Sequence, residues 1–103
     1  MAKNSLVVVS IEEYPVLTLE EICHACHVPS AFIQDMIDHG IIEPRGSSIE
    51  TWRFDAEHLR RVRTTVHLHH DLEVNLAGAG LVLDLLDELT RMRARLEVFE
   101  KKR

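Results

Sequence analysis

Long apolar runs are missing from this 103-residue sequence; the longest is Leu6-Val7-Val8-Val9. A helix needs about 20 apolar residues to span a bilayer, so no spanning segment is expected. The opening stretch MAKNSLVVVS offers one Lys and then only four apolar residues, too few for the apolar core of a signal peptide. A cytoplasmic location is expected. Cysteine is scarce: Cys23 and Cys26 are the only two, and in that compartment they should stay reduced, without a disulfide framework. Catalytic signatures are missing as well. There is no G-x-S-x-G elbow, no phosphate loop and no pair of carboxylates at a spacing that suggests acid–base work. The expectation is a protein that is not an enzyme and carries no cofactor or metal.

Cations are missing where a nucleic-acid reader would need them. Residues 1–55 hold three basic side chains (Lys3, Arg45, Arg53) against nine acidic ones, a balance of −6; residues 56–103 come to +1, for −5 overall.

What is present is enough apolar material, 46%, for one globular domain with a single modest core. Leu6–Val9 reads as a short β-branched strand. Thr18-Leu19-Glu20-Glu21 is a capping box, and Leu19, Ile22, Cys23 and Cys26 follow at i, i+3, i+4, i+7, one face of a helix. Val28-Pro29-Ser30 breaks it. Ser30 is the expected cap of a second helix with the stripe Phe32, Ile33, Met36 and Ile37, ended by His39-Gly40 with Gly40 in the left-handed region. Residues 18–39 therefore read as a helix-turn-helix. Ile41-Ile42-Glu43 and Ile49–Phe54 read as short strands around the loop 44–48, making a hairpin or wing. Asp55 caps a third helix to about His70, and Asn75 caps a fourth that runs toward the C-terminus. Gly78 and Gly80 in its first turns weaken it locally or allow close packing. The fold class is mainly α: a winged helix-turn-helix with a short β-hairpin and N-terminal strand and a long C-terminal dimerisation helix. Residues 1–75 form the acidic core with the third helix, and 76–103 the dimerisation helix, within a single domain.

In the fourth helix Val82, Leu85, Leu89, Met92, Leu96 and Phe99 alternate steps of three and four, a heptad seam. The seam either packs on the protein's own core or pairs with a second chain. The second reading is preferred, because the tail from about residue 90 extends beyond what a small winged domain can cover.

The would-be reading helix, 30–39, carries Asp35 and Asp38 and no Lys or Arg; only Gln34 suits a base edge. Duplex DNA draws most of its affinity from cations that release condensed counterions. An acidic surface suits a basic protein instead.

Three clusters have competing readings. CHACH (23–27) contains the C-x-x-C-H of a haem attachment site and could suggest a metal. The two Cys lie on the apolar stripe, however, and His24 and His27 on another face, so core thiols are expected. His67, His69 and His70 with Asp71 either hold a metal loosely or form a solvated face with a His67–Asp71 helical pair. Arg60, Arg61 and Arg63 either pair with the acidic N-terminal half or form a nucleic-acid patch.

The stretch T-L-E-E-I-C…V…F-I…M-I…G-I-I-E-P (18–44) resembles the start of MerR-type winged-helix proteins. W-R-F-D (52–55), R…H-H-D-L-E-V-N-L-A-G (63–78) and L-D-L-L-D-E-L (83–89) resemble the chaperone modulators of the CbpM type more closely. Together these stretches cover roughly residues 17–96. The resemblance implies a small MerR-like homodimer that binds the J-domain of a DnaJ-like co-chaperone and inhibits its action on Hsp70. J-domains present a basic helix, which fits the acidic surface. Charge nominates Glu20, Glu21, Asp35, Asp38, Asp84, Asp87 and Glu88 as partner contacts. The runner-up is a MerR-like DNA-binding transcriptional regulator, a family with Arg and aromatic side chains where this chain has Gln34, Asp35 and Asp38.

Overall fold

The computed structural model of the chain describes residues 16–102, so the strand expected at Leu6–Val9 lies outside the described residues. Helix α1 is Leu19–Cys26. Its capping box is made as expected: Thr18 Oγ1 accepts from the Glu21 N–H at 3.2 Å, and Glu21 Oε1 accepts from the Thr18 N–H at 2.9 Å. The helix stops at His27, which takes the left-handed φ of 58°.

Helix α2, Ser30–Asp38, begins at the residue expected to cap it, so its cap lies one residue earlier. Pro29, extended at φ −74° and ψ 159°, is the N-cap, and Ser30 is already helical. The Pro29 carbonyl accepts from the Phe32 and Ile33 N–H groups as the first bonds of the helix, and no side chain caps it. The other end closes in a Schellman turn. Gly40 at φ 75° lets its own N–H reach the Ile37 carbonyl, and the Ile41 N–H reaches that of Met36 at 2.9 Å.

The expected hairpin is not a ladder. Among the described residues the β pairing is limited to isolated antiparallel bridges, Leu17 with Phe54 and Arg45 with Arg53. Ile49–Thr51 forms one turn of 3-10 helix, where a strand was expected. Two physical reasons are visible. Ile41 and Ile42 are both buried, which the alternation of a strand with one solvated face forbids. The loop tip also folds on itself: Thr51 Oγ1 accepts from the N–H groups of Ser47 and Ser48, with Gly46 at φ 106°.

Helix α3, Ala56–Leu72, is capped by Asp55, whose Oδ1 accepts from the His58 N–H at 3.0 Å. It runs two residues past the expected end. Helix α4, Leu76–Lys101, is capped by Asn75 Oδ1 on the Gly78 N–H at 2.8 Å. At 26 residues it is a rod of roughly 39 Å.

α3 is the spine of the packing, with α1 on one side and α4 on the other; α2 rests on α1. Ile22 and Cys26 from α1, Ile33 and Met36 from α2, Phe54, Val62 and Leu68 around α3, and Ala79 and Leu83 from α4 make one core with Ile41 and Ile42. The only buried polar side chain among the described residues, Thr65, donates to the Arg61 carbonyl at 2.8 Å, which offsets the cost of burying its hydroxyl.

Candidate functional site

Two acidic groups of side chains differ in how they are neutralised. The first lies on α1, α2 and the turn after them. Glu20, Glu21, Asp35, Asp38 and Glu43 are exposed, and no Lys or Arg occurs between residues 18 and 43. The apolar stripes of both helices turn inward, through Ile22 and Cys26 on α1 and Ile33 and Met36 on α2. The charged positions are therefore left on the water side. Glu21 is tied into the α1 cap through its carboxylate, whereas Glu20, Asp35 and Asp38 make no ion pair with the described residues.

The second group lies on α4 and is matched by arginine. Asp87 accepts from Arg61 at 2.7 Å and sits 3.7 Å from Arg60. Asp84 lies 3.9 Å from Arg61, and Glu88 is paired with Arg91. Arg60 also clasps Glu57, and that hydrogen bond holds the Glu57 carboxyl below its ordinary pKa. Among the described residues Arg60 and Arg61 thus pair with α4 and, for Arg60, with its own helix, not with the acidic N-terminal half as the sequence suggested, while Arg63 lies beside Cys26. In sequence Asp84 and Asp87 lie more than 20 residues from Arg60 and Arg61, so only the packing of α3 on α4 reveals that match, whereas Glu57–Arg60 and Glu88–Arg91 are local pairs three residues apart.

Neither helix of the helix-turn-helix presents a cation for DNA. The arginines nearest to α2 in the chain are Arg45 and Arg53, joined across one bridge with N···O distances of 3.0 and 2.9 Å. Arg45 reaches Asp55 at 3.4 Å, and Arg53 donates to the carbonyl of Trp52 at 2.7 Å. Burial pushes the Asp55 carboxyl up, but the His58 N–H, the His58 ring and Arg45 outweigh it and hold the group below its ordinary value.

The thiols of CHACH sit where the apolar stripe placed them. Cys26 is buried and Cys23 half-buried, while His24 and His27 face water. Burial raises both thiols above their ordinary pKa; the neighbouring Cys26 adds to the effect on Cys23, and Arg63 opposes it at Cys26. Such thiols are poor nucleophiles and poor metal ligands at neutral pH. Among the described residues no three His, Cys, Asp or Glu side chains come together as a metal site. His67 Nδ1 meets Asp71 at 2.7 Å on the exposed face of α3, and the ring of His69 tilts against Phe32 at 5.4 Å between centroids.

The second feature of the surface is the outer face of α4. Leu81, Leu85, Leu89, Met92, Leu96 and Phe99 are all large, apolar and exposed, up to 67% at Phe99. Val82, the first residue of the seam expected from sequence, is half-buried against the chain's own core, while Leu81 is 61% exposed. The reason is geometric: Leu81 stands i−4 from Leu85, on the side opposite Ala79 and Leu83, which pack inward. The i−4 step to Leu81 was the signal available in the sequence. From Glu88 to Lys102 every side chain is exposed, so the end of the helix is covered by none of the described residues. No helix among the described residues is long and apolar enough to cross a membrane.

Comparison with known proteins puts a family beside this geometry. A family model described as MerR HTH family regulatory protein matches residues 17–101. The chain is similar to the chaperone modulatory protein CbpM of Coxiella burnetii, with 35% identity over 101 residues, 98% of this chain and 95% of that protein. It is similar also to proteins of the same name from Pseudomonas putida, 28% identical over 86 residues, and from Pseudomonas entomophila, 29% identical over 86 residues; each match covers 84% of this chain and 85% of the relative.

Proposed function

We propose, from the premise that this chain belongs to the CbpM family of chaperone modulatory proteins and carries its MerR-type helix-turn-helix, that it binds the J-domain of a DnaJ-like co-chaperone and masks it from Hsp70. The reading is of a cytoplasmic interaction module, not an enzyme. The observation that carries it is the acidic face of α1 and α2. Five exposed carboxylates stand in residues 18–43 with no Lys or Arg among them, on the surface a DNA reader would fill with cations. A basic partner helix is drawn to such a face over distances of about a Debye length, roughly 8–10 Å in physiological salt.

Of the two acidic groups, Glu20, Glu21, Asp35 and Asp38 are the proposed contacts. Asp84, Asp87 and Glu88 are largely neutralised by Arg60, Arg61 and Arg91 and belong to the frame. Exposed ion pairs contribute only about 0–1 kcal/mol each, so apolar burial beside them must carry much of the affinity.

The outer stripe of α4, Leu85, Leu89, Met92, Leu96 and Phe99 with Leu81 in place of Val82, is the proposed homodimer interface. Its two halves differ in charge. Residues 76–90 carry Asp84, Asp87 and Glu88 and no cation, whereas 91–102 carry five cations and two carboxylates. Antiparallel pairing of two such helices sets opposite charges side by side.

The test is titration of the purified protein with the J-domain of its cognate co-chaperone by calorimetry. Glu20→Lys with Asp35→Lys and Asp38→Lys should weaken binding at least tenfold, while Asp84→Lys with Glu88→Lys should change it little. Unchanged binding with the first set refutes the assigned face. No binding by the unmodified protein, together with a shift of duplex DNA that collapses steeply with salt, would return the chain to the transcriptional-regulator reading. Light scattering tests the dimer: Leu89→Glu should halve the mass, and a wild-type chain of monomer mass ends the interface argument.

A further inference from the structure

Arg61 turns its three guanidinium nitrogens toward three different oxygens, through two hydrogen bonds and one longer ion-pair contact. Nε donates to the Ile41 carbonyl at 2.8 Å, Nη1 donates to Asp87 at 2.7 Å, and Nη2 faces Asp84 at 3.9 Å. The side chain is only 13% exposed, so these contacts are shielded and the fork is held in one geometry. The three oxygens belong to two separate parts of the fold. Ile41 is the residue that closes the Schellman turn of α2, and its side chain packs beside Gly80 of α4. Asp84 and Asp87 lie on α4 one turn apart.

The position along α4 matters. Asp87 is the last side chain of that helix that is not exposed; from Glu88 onward none of the described residues covers the rod. Deeper in the core, Ala79 and Leu83 hold α4 by apolar contact, which is non-directional and tolerates a change of angle. A planar fork bound to two places does not. Where a rod leaves its support, the last directional contact sets the angle at which it leaves.

We propose that Arg61 is a positioning residue that fixes the α4 arm to the turn behind α2. The helix-turn-helix and the exposed arm then move as one body, and Asp87 marks the point from which the arm extends. This inference stands apart from the proposed partner, since it concerns only the geometry within one chain.

The experiment is a distance distribution between spin labels at Ala31→Cys on α2 and Ala94→Cys on the arm. The full chain carries Cys23→Ser and Cys26→Ala and is diluted with unlabelled protein. With Arg61 in place the distribution should be narrow. Arg61→Met should broaden it at least twofold, with helix content by circular dichroism nearly unchanged. Arg61→Lys should not restore the narrow distribution, because an ammonium cannot serve a carbonyl and a carboxylate from fixed fork positions. Arg60→Gln, on the exposed neighbour, should leave it narrow. Should Arg61→Met fail to fold, Asp87→Asn on the half-exposed side of the contact decides. A narrow, unshifted distribution in Arg61→Met, or in Asp87→Asn where that variant decides, overturns the proposal. Equal broadening in Arg60→Gln also overturns it, since the effect would then not belong to the fork.

Discussion

At the residue scale the start of α3 is the most informative place. Asp55 caps the helix, and the His58 ring Nδ1 accepts from the Asp55 N–H at 2.9 Å, so an imidazole stands where a capping box has Glu or Gln. Asp55→Ala should cost about 1 kcal/mol, as lost caps do, measured by urea denaturation. Asp55→Asn keeps a capping oxygen but loses the charge that favours Arg45 and His58. Because the folded-state pKa of Asp55 lies below its ordinary value, its charged form stabilises the fold above about pH 4 and the benefit fades as pH falls through the lowered value. The stability gap between wild type and Asp55→Asn should therefore be present at pH 7 and close in acid; a gap that widens as pH falls would contradict this. The cap itself was legible, since Asp before an amphipathic run is a strong local signal. The role of His58 was not, because an imidazole at that position has no propensity to betray it. Gly46 was read only as part of a loop. At φ 106°, with the Thr51 carbonyl oxygen 2.4 Å from where a Cβ would stand, Gly46→Ala forces the wing loop to open. We expect a loss of about 1–3 kcal/mol in the same denaturation assay.

At the element scale the helices follow from their sequence and the wing does not. Helices close their hydrogen bonds within about four residues, so caps and stripes at 18–39, 55–72 and 75–101 carry their own boundaries. Strands close theirs with distant partners. Ile41-Ile42 and Ile49–Phe54 have strand-like composition, yet the core takes both isoleucines and the turn at 49–51 takes the rest. In α4 the stripe was legible but its first member was one residue off, because Val82 and Leu81 are equally apolar and only the direction of the core separates them. Two substitutions distinguish the faces. Leu83→Ala should cost about 2–5 kcal/mol at any protein concentration, since Leu83 is fully buried within the chain. Leu85→Ala should leave monomer stability nearly unchanged and instead weaken the concentration dependence of the melting temperature. If Leu85→Ala matched Leu83→Ala in dilute protein, the outer face would be packed within the chain.

At the scale of the whole molecule, charge is divided along the chain. On α1 and α2 the carboxylates Glu20, Asp35 and Asp38 stay in water, whereas Glu57, Asp84, Asp87 and Glu88 of the later half are paired with Arg60, Arg61 and Arg91. Association with a basic partner should accordingly slow as salt rises from 50 to 300 mM, chiefly in the on-rate read by stopped-flow fluorescence of Trp52. A rate independent of salt would remove the steering argument. The amino-acid sequence by itself determined the helices, the caps at Thr18, Asp55 and Asn75 and the sign of the surface, because each depends on neighbours a few residues away or on a simple sum. Tertiary structure alone decided that Asp84 and Asp87 are already matched by Arg60 and Arg61, that the wing is a folded loop and not a ladder, and that Leu81 and not Val82 faces outward. Those outcomes depend on which distant side chain arrives within about 4 Å, and packing of α3 against α4 and the HTH turn sets that distance where no local pattern records it.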